Sequence, residues 1–140
     1  MAKTYTCEIE VRWADFDQLG HVNNVKYLEY AQEARIRFFA ACLQEAFGRR
    51  ESRMVIRKNT IEYLLPYDDL TEPLHIDIEL IHIGRTSYTV RHRMHNASGV
   101  VFATADAIMV NFDPRTGKSV ALSGPERSAL EDYLVEEAVH

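Results

Sequence analysis

Cysteine is nearly absent from the chain: Cys7 and Cys42 are its only two. They lie far apart, with neither a CxxC pair nor any metal-type spacing, which argues against a disulfide framework or a cysteine zinc site. Both are expected to be small buried hydrophobes in a reducing compartment. The six histidines (His21, His75, His82, His92, His95 and His140) form no HxH or HExxH pattern, so no metal is expected. A GxSxG elbow and a glycine-rich phosphate loop are missing too, and no cofactor is expected. A basic surplus is also lacking: 21 acidic against 16 basic residues leave a net charge of −5, which disfavours nucleic acid as a partner. No apolar run approaches membrane-spanning length, and Met1-Ala2-Lys3-Thr4-Tyr5 carries no apolar signal-type stretch. The expectation by default is a cytoplasmic protein without a membrane partner.

The remainder has ordinary globular proportions, 46% hydrophobic and 26% charged. A chain of 140 residues fits one domain spanning 1–140. That length suffices to bury about two-thirds of the unfolded surface. From Thr4 to Trp13, Tyr5, Cys7, Ile9, Val11 and Trp13 alternate with polar residues, the period of a half-buried strand. Ala14 to Asn23 reads as a structured loop. The period then becomes helical, with Leu28, Ala31, Ala34 or Arg35, Phe38 and Cys42 on one stripe. Asn23 or Asn24 can cap the start and Gly48 can stop the helix, giving roughly 20 residues. Tyr27, Tyr30, Ile36 and Phe39 widen the apolar surface, so burial on more than one side is expected. Four strands follow: Met54 to Leu65, Leu74 to Leu80, Thr86 to Met94 and Val100 to Phe112. Turns are marked at Gly84, Asn96–Gly99 and Asp113–Gly117. Ala103, Ala105 and Ala107 share one strand face and would let a helix lie close. Ser123 to Glu126, with Pro125, resembles a capping box before a short last helix. The expected class is α+β, an antiparallel five-stranded sheet curled around one long central helix.

The chemistry-bearing stretch is Trp13 to Tyr27, where the carboxylates of Asp15 and Asp17, the His21 imidazole and the amides of Asn23 and Asn24 crowd into a loop before a helix. Free N–H groups at a helix start suit an anion, including the oxyanion formed when an acyl carbonyl is attacked. A carboxylate in the preceding loop could attack the same carbon directly or activate a water. Residue by residue, Asp and Asn before a helix are also ordinary caps, and glycine in a loop ordinarily serves backbone geometry.

Asp17-Gln18-Leu19-Gly20-His21-Val22-Asn23-Asn24, followed by Tyr27, resembles the signature of the 4-hydroxybenzoyl-CoA thioesterase family of hot-dog-fold proteins. Ile61-Glu62-Tyr63-Leu64-Leu65-Pro66 and Ile83-Gly84-Arg85-Thr86-Ser87 are similar to that family as well. The resemblance runs to about Ser123 and is more specific for the superfamily than for any substrate. It implies hydrolysis of an acyl-CoA, or a related acyl thioester, to free acid and CoA. Asp17 then matches the family's catalytic carboxylate, and the Asn24 backbone amide matches the group that polarises the thioester carbonyl. Gly20, Tyr27, Tyr63, Arg85, Thr86 and Ser87 fall at substrate-binding positions. Asp15 shapes the loop. The same string resembles plant acyl-ACP thioesterases, in which the equivalents of Asp17 and His21 are implicated in catalysis. Those enzymes carry Asn where this chain has Leu19, so His21 is either a catalytic helper or a loop residue. A homodimer or homotetramer with its site at the subunit boundary is implied.

Other residues have plainer expectations. Glu33 and Arg35 pair locally or face a partner subunit, and Glu29 with Glu33 could extend the site. Arg91 and Arg93 belong to a solvated strand face, whereas Arg85 is the best candidate for CoA phosphates, ahead of Lys118. The rival functions are a non-catalytic acyl-CoA sensor module, an acyl-ACP thioesterase and an enoyl-thioester hydratase. Fold alone does not separate them.

Overall fold

A computed structural model of the chain describes residues 2–48 and 53–135, leaving His140 outside. The order of elements is β1 (Tyr5–Ile9), a 3-10 turn (Trp13–Asp15), α1 (Lys26–Phe38), a π-helical segment (Phe39–Leu43), α2 (Gln44–Phe47), β2 (Arg53–Tyr63), β3 (Leu74–Ile83), β4 (Ser87–His95), β5 (Val101–Asp113), β6 (Lys118–Ser119) and α3 (Gly124–Glu131). The strands make one antiparallel sheet in the order β1-β3-β4-β5-β2, with the two-residue β6 added beside β5. Register irregularities between Ile56 and Lys58 and between Leu80 and His82 mark bulges, which bend strands and sharpen their twist. The sheet curls around a helical run of 22 residues, as expected.

Period-two patterning fills the inner face. Leu74, Ile76, Ile78 and Leu80 of β3 are fully buried, and Tyr88, Val90, His92 and Met94 of β4 lie beside them. The alanines behave as their size suggests: Ala31 and Ala34 on α1, and Ala103, Ala105 and Ala107 on β5, are all at most 2% exposed. Small side chains on both partners let the helix sit close to the sheet. The outer face is polar, with Arg91 paired to Asp106, Arg93 to Glu79, and His95 to Asp77 at 3.0 Å. Arg91 and Arg93 thus belong to the strand face, as their sequence pattern suggests. Ser123 and Glu126 close a reciprocal capping box at α3: the Glu126 N–H donates to Ser123 Oγ and the Ser123 N–H to Glu126 Oε1.

Several sequence expectations are corrected. The first strand stops at Ile9, and Trp13 is 81% exposed rather than on the buried side. The chain turns there because both the Arg12 N–H and its guanidinium donate to Asp15. Leu28 and Ile36 are exposed, while Tyr27, Tyr30, Ala31, Ala34 and Phe38 carry the buried stripe. The helix does end at Gly48 (φ +60°), but Phe39–Leu43 winds as a π-helix, which no periodicity announces. Glu33 pairs with Arg37, not with Arg35, and Glu29 pairs with Lys26.

The loop before α1 hangs on Asp15, which is 1% exposed. Tyr30 Oη donates to its Oδ2 at 2.6 Å, the Arg12 guanidinium donates to Oδ1 at 3.2 Å, and Lys26 Nζ stands 3.9 Å from Oδ1. Burial alone would raise this carboxyl's pKa, but the bonds from Tyr30 and from the Arg12 amide and guanidinium outweigh it and hold it below the ordinary carboxylate value. A depressed folded-state pKa contributes stability above the unfolded value, about 4, and loses it as pH falls through the lower folded value. Tyr30→Phe should therefore lower stability by about 1–3 kcal/mol at neutral pH. That difference should shrink as pH drops through the acid range; urea unfolding at several pH values measures both effects. Ala105→Leu should lower stability by about 1–3 kcal/mol through overpacking between α1 and β5, read in the same assay.

Candidate active site

Phe16 and Val22 form an isolated antiparallel bridge, and the chain between them folds back tightly. The Asp17 N–H donates to the His21 carbonyl at 2.9 Å, and the Gly20 N–H to the Asp17 carbonyl at 3.1 Å. Gly20 has φ +80°, with open space where a Cβ would stand, so its conformation rather than crowding requires glycine. The Val22 N–H donates to the Tyr67 carbonyl at 2.8 Å, and the Asn23 N–H to the Asp15 carbonyl at 2.8 Å. These bonds fix the loop to the β2–β3 connection and to the buried Asp15 residue.

Asp17 stands exposed at the tip of this loop. Its Oδ1 accepts the Leu19 N–H at 2.9 Å, an Asx turn that orients the carboxylate. Its other oxygen accepts no hydrogen bond from the described residues. His21 is half-buried, and its bond within the loop is made by its backbone carbonyl. The helix start is capped by Asn23: its Oδ1 accepts the Val25 N–H at 2.9 Å, and its carbonyl accepts the Lys26 N–H at 2.9 Å. With Asn23 as the cap, the Asn24 N–H is left with no acceptor among the described residues. Tyr63, on β2, donates its hydroxyl to the Asn24 carbonyl at 2.9 Å and so pins the peptide on the other side of that residue. The Tyr63 ring meets Tyr27 edge-on, with centroids 5.3 Å apart. Burial raises the pKa of both phenols, which keeps them hydrogen-bond donors at neutral pH.

Beside Asn24 lies a cavity of about 280 Å³ lined by Val22, Asn24, Tyr27, Tyr63, Leu64, Leu65 and Pro66. Of the residues singled out from the sequence, Asn24, Tyr27 and Tyr63 meet here. Asp17, Gly20 and His21 form the adjoining loop and do not line this cavity. Arg85, Thr86 and Ser87 lie elsewhere in the protomer. Ser87 pairs with Val110 of β5, whereas Tyr63 pairs with Ala103. The stretch between those two β5 positions is roughly 23 Å at about 3.3 Å per residue. The turn itself is held by the Leu122 N–H on the Arg85 carbonyl, the Asn111 N–H on the Thr86 carbonyl and the Arg127 guanidinium on the Gly84 carbonyl. A Cβ on Gly84 would come within 3.2 Å of Ser87 Oγ, which accounts for a glycine at that place. The Arg85 side chain is exposed. Sequence reasoning missed the Tyr30–Asp15 bond. The available signal was a tyrosine one turn after Tyr27 on a buried face, where a hydroxyl needs a partner. Among the described residues no three His, Cys, Asp or Glu side chains gather as a metal site, and no helix is long and apolar enough to cross a membrane.

The chain is similar to known proteins over most of its length. An acyl-CoA thioester hydrolase from Escherichia coli O6:H1, YbgC, is 29% identical over 118 residues, covering 81% of this chain and 86% of its own. A predicted thioesterase from Bacillus stearothermophilus superposes with a TM-score of 0.84 at 24% identity, covering 97% of this chain and all of its own, a likeness of fold. A thioesterase from Thermus thermophilus, solved in complex with coenzyme A and Zn, is 27% identical with a TM-score of 0.74, over 90% of this chain and 91% of its own. The model of the thioesterase-like superfamily matches residues 11–130, from the turn before the loop to the last helix. The chain belongs to that superfamily and is a hot-dog-fold thioesterase.

Proposed function

We propose that the thioester is an acyl-CoA, cleaved to the free acid and CoA at the loop-to-helix junction. The observation that carries this reading is the Asn24 N–H, left without an acceptor among the described residues at the start of α1 and beside an apolar cavity of about 280 Å³. An unpaired N–H at a helix start is an oxyanion donor that needs no reorganisation when the carbonyl oxygen gains charge. Tyr63 and the Asn23 cap hold its peptide in place. Asp17 supplies the attack, either on the carbonyl carbon or on a water, with the carboxylate oxygen that Leu19 leaves free. His21, in the same loop, is either a helper in that step or a loop residue whose carbonyl holds the Asp17 N–H. Leu64, Leu65 and Tyr27 offer the acyl group an apolar wall. The names of YbgC and of the CoA-bound Thermus enzyme favour CoA as the thiol.

The active unit in this reading is a homodimer or a higher homo-oligomer. Among the described residues β2 pairs with β5 alone, which leaves that edge of the sheet open, and Val55 and Ile56 on β2 are exposed. Ile36 on α1 and Trp13, Leu19 and Val25 around the loop are exposed as well, and exposed apolar groups of this size suit an interface with a second subunit. A second subunit would also bring Arg85, Thr86 and Ser87 toward the loop site, where Arg85 would meet the CoA phosphates.

Asp17→Asn should lower turnover by roughly 10²-fold or more on a panel of acyl-CoAs, scored by released thiol. Unchanged turnover excludes Asp17. Tight acyl-CoA binding without thiol release in the wild type would indicate a sensor, and loss of enoyl absorbance without free thiol a hydratase. Sedimentation equilibrium should give at least a dimer; a strict monomer contradicts the shared site.

A further inference from the structure

The outer face of the sheet carries a cluster of titratable groups where β1, β3 and β4 run side by side. The register sets Asp77 opposite Arg93, His75 opposite His95, and Glu8 of β1 opposite His75. Arg93 nevertheless gives its guanidinium to Glu79, further along β3. Asp77 is left with the Thr6 hydroxyl, which donates to its Oδ1 at 2.8 Å, and with His95, whose Nε2 stands 3.0 Å from the same oxygen. The His95 and Asp77 side chains are 19% and 24% exposed, so water and salt screen their contact only in part. The His75 ring covers one face of His95, with centroids 5.4 Å apart and 16° between the planes. From β5, Val101 stands opposite His95 and Thr104 opposite Arg93, and neither side chain titrates.

Both ring nitrogens of His95 face oxygen. Nδ1 lies 2.8 Å from the Asn96 carbonyl, which can only accept, so Nδ1 carries a proton. Nε2 is shut off from solvent, and its contact with the Asp77 carboxylate is one of charge rather than a well-aligned hydrogen bond. A neutral ring has a single N–H, already committed to the carbonyl, and would turn a lone pair on the carboxylate. The imidazolium has both N–H groups, and its charge offsets that of Asp77. Burial and the Arg93 charge lower the His95 pKa, but the contacts with Asp77 and the Asn96 carbonyl outweigh them and hold it above the ordinary value. The location also matters. Val101 is followed by Phe102, whose carbonyl takes the Leu64 and Leu65 N–H groups and whose ring meets Tyr67 at 4.8 Å. The Tyr67 carbonyl in turn holds the Val22 N–H. The cluster thus lies at the end of the sheet that anchors the reaction loop.

We propose that His95 is a proton-operated clasp between β3 and β4: protonated, it ties the end of β4 to Asp77, and on losing its proton it releases Asp77 and lets the strand ends beside the β2–β3 connection open more often. The clasp rests on the sheet alone and holds whichever thioester is cleaved. A histidine whose folded-state pKa lies above the unfolded value, about 6.5, contributes stability that is full below that value and lost as pH rises through the folded one. Nitrogen NMR of the full-length wild-type protein should give His95 a titration midpoint above about 6.5, with both ring nitrogens protonated below it. That midpoint should fall in Asp77→Asn. Urea unfolding of the wild type, His95→Gln, Asp77→Asn and the double variant forms a cycle, run at about pH 6 and about pH 8.5 on either side of the transition. The coupling between the two residues should be about two- to fivefold in the unfolding constant at the lower pH and vanish at the higher. Hydrogen-exchange protection at the ends of β3 and β4 should fall over the same range relative to the middles of those strands, and that fall should be absent in His95→Gln. A midpoint at or below about 6.5 in the wild type, a coupling equal at both pH values, or strand-end protection that ignores pH would each overturn the proposal.

Discussion

Asp15 is at the junction of three segments. Its carboxylate takes the Tyr30 hydroxyl from α1 and two N–H groups from Arg12, and its backbone carbonyl takes the Asn23 N–H at the end of the loop. One residue thus joins the turn after β1, the loop tip and the helix. A buried carboxylate with fewer partners would be strongly destabilising in so dry a place, because the charged form needs compensation to stay charged. Since these partners come from different segments, the bonds form together only when the loop is in its folded position. The placement of Asp17 relative to the start of α1 is therefore a consequence of the Asp15 contacts rather than of Asp17 itself, which is exposed and makes a single side-chain hydrogen bond, to the Leu19 N–H.

The same division of labour runs along the loop. Asn23 satisfies the Val25 and Lys26 N–H groups, and Tyr63 holds the Asn24 carbonyl from across the sheet. Had Asn24 been the cap, its peptide would point differently and its N–H would have no reason to stay open. Gly20 supplies the positive φ that closes the loop tip, so its contribution is conformational. Two adjacent asparagines hence do different work: one ties down the helix start, and the other presents a backbone donor.

Much of this was legible in the sequence because it rests on short-range rules. The alternation of Leu74 to Leu80, the alanines at 103, 105 and 107, the Ser123–Glu126 box and the stop at Gly48 each follow from periodicity or local chemistry, and each stands in the fold as expected. Reasoning failed where a tertiary partner overrides a local pattern. Trp13 continues the strand alternation on paper, but the Arg12–Asp15 contact breaks the strand before it. Leu28 has helical spacing, but the apolar stripe turns toward Tyr27 and Tyr30, whose hydroxyl-bearing rings are placed by Asp15 and Tyr63. Glu33 pairs with Arg37 one turn on, the i,i+4 neighbour, while Arg35, two residues from Glu33, points elsewhere and meets His92. The Asp17–Asn24 loop was visible as a cluster; which asparagine caps and which donates depends on bond directions that sequence does not carry. The distance between the Arg85 turn and that loop was equally invisible, since it depends on strand order.

The start and the middle of the central helical run differ chemically. At the start, the Asn24 N–H is open beside a small cavity. Near the middle of the helical run, Arg35 meets the buried His92 ring rather than a carboxylate. The helix then changes from α to π at Phe39–Leu43. Phe39, Leu43 and Phe47, four residues apart along the helical run, line a larger cavity of about 500 Å³ with Phe38. Its donors, Arg35 and Asn111, come from opposite walls, α1 and β5. Packing that merely tolerated a void would have left it apolar. Here a guanidinium and an amide group face hydrocarbon, and the cavity borders the Arg85–Ser87 turn, through the Asn111 N–H on the Thr86 carbonyl and Tyr88 on its lining. In the proposed dimer these donors therefore belong to the shared site at the partner's loop rather than to one of their own.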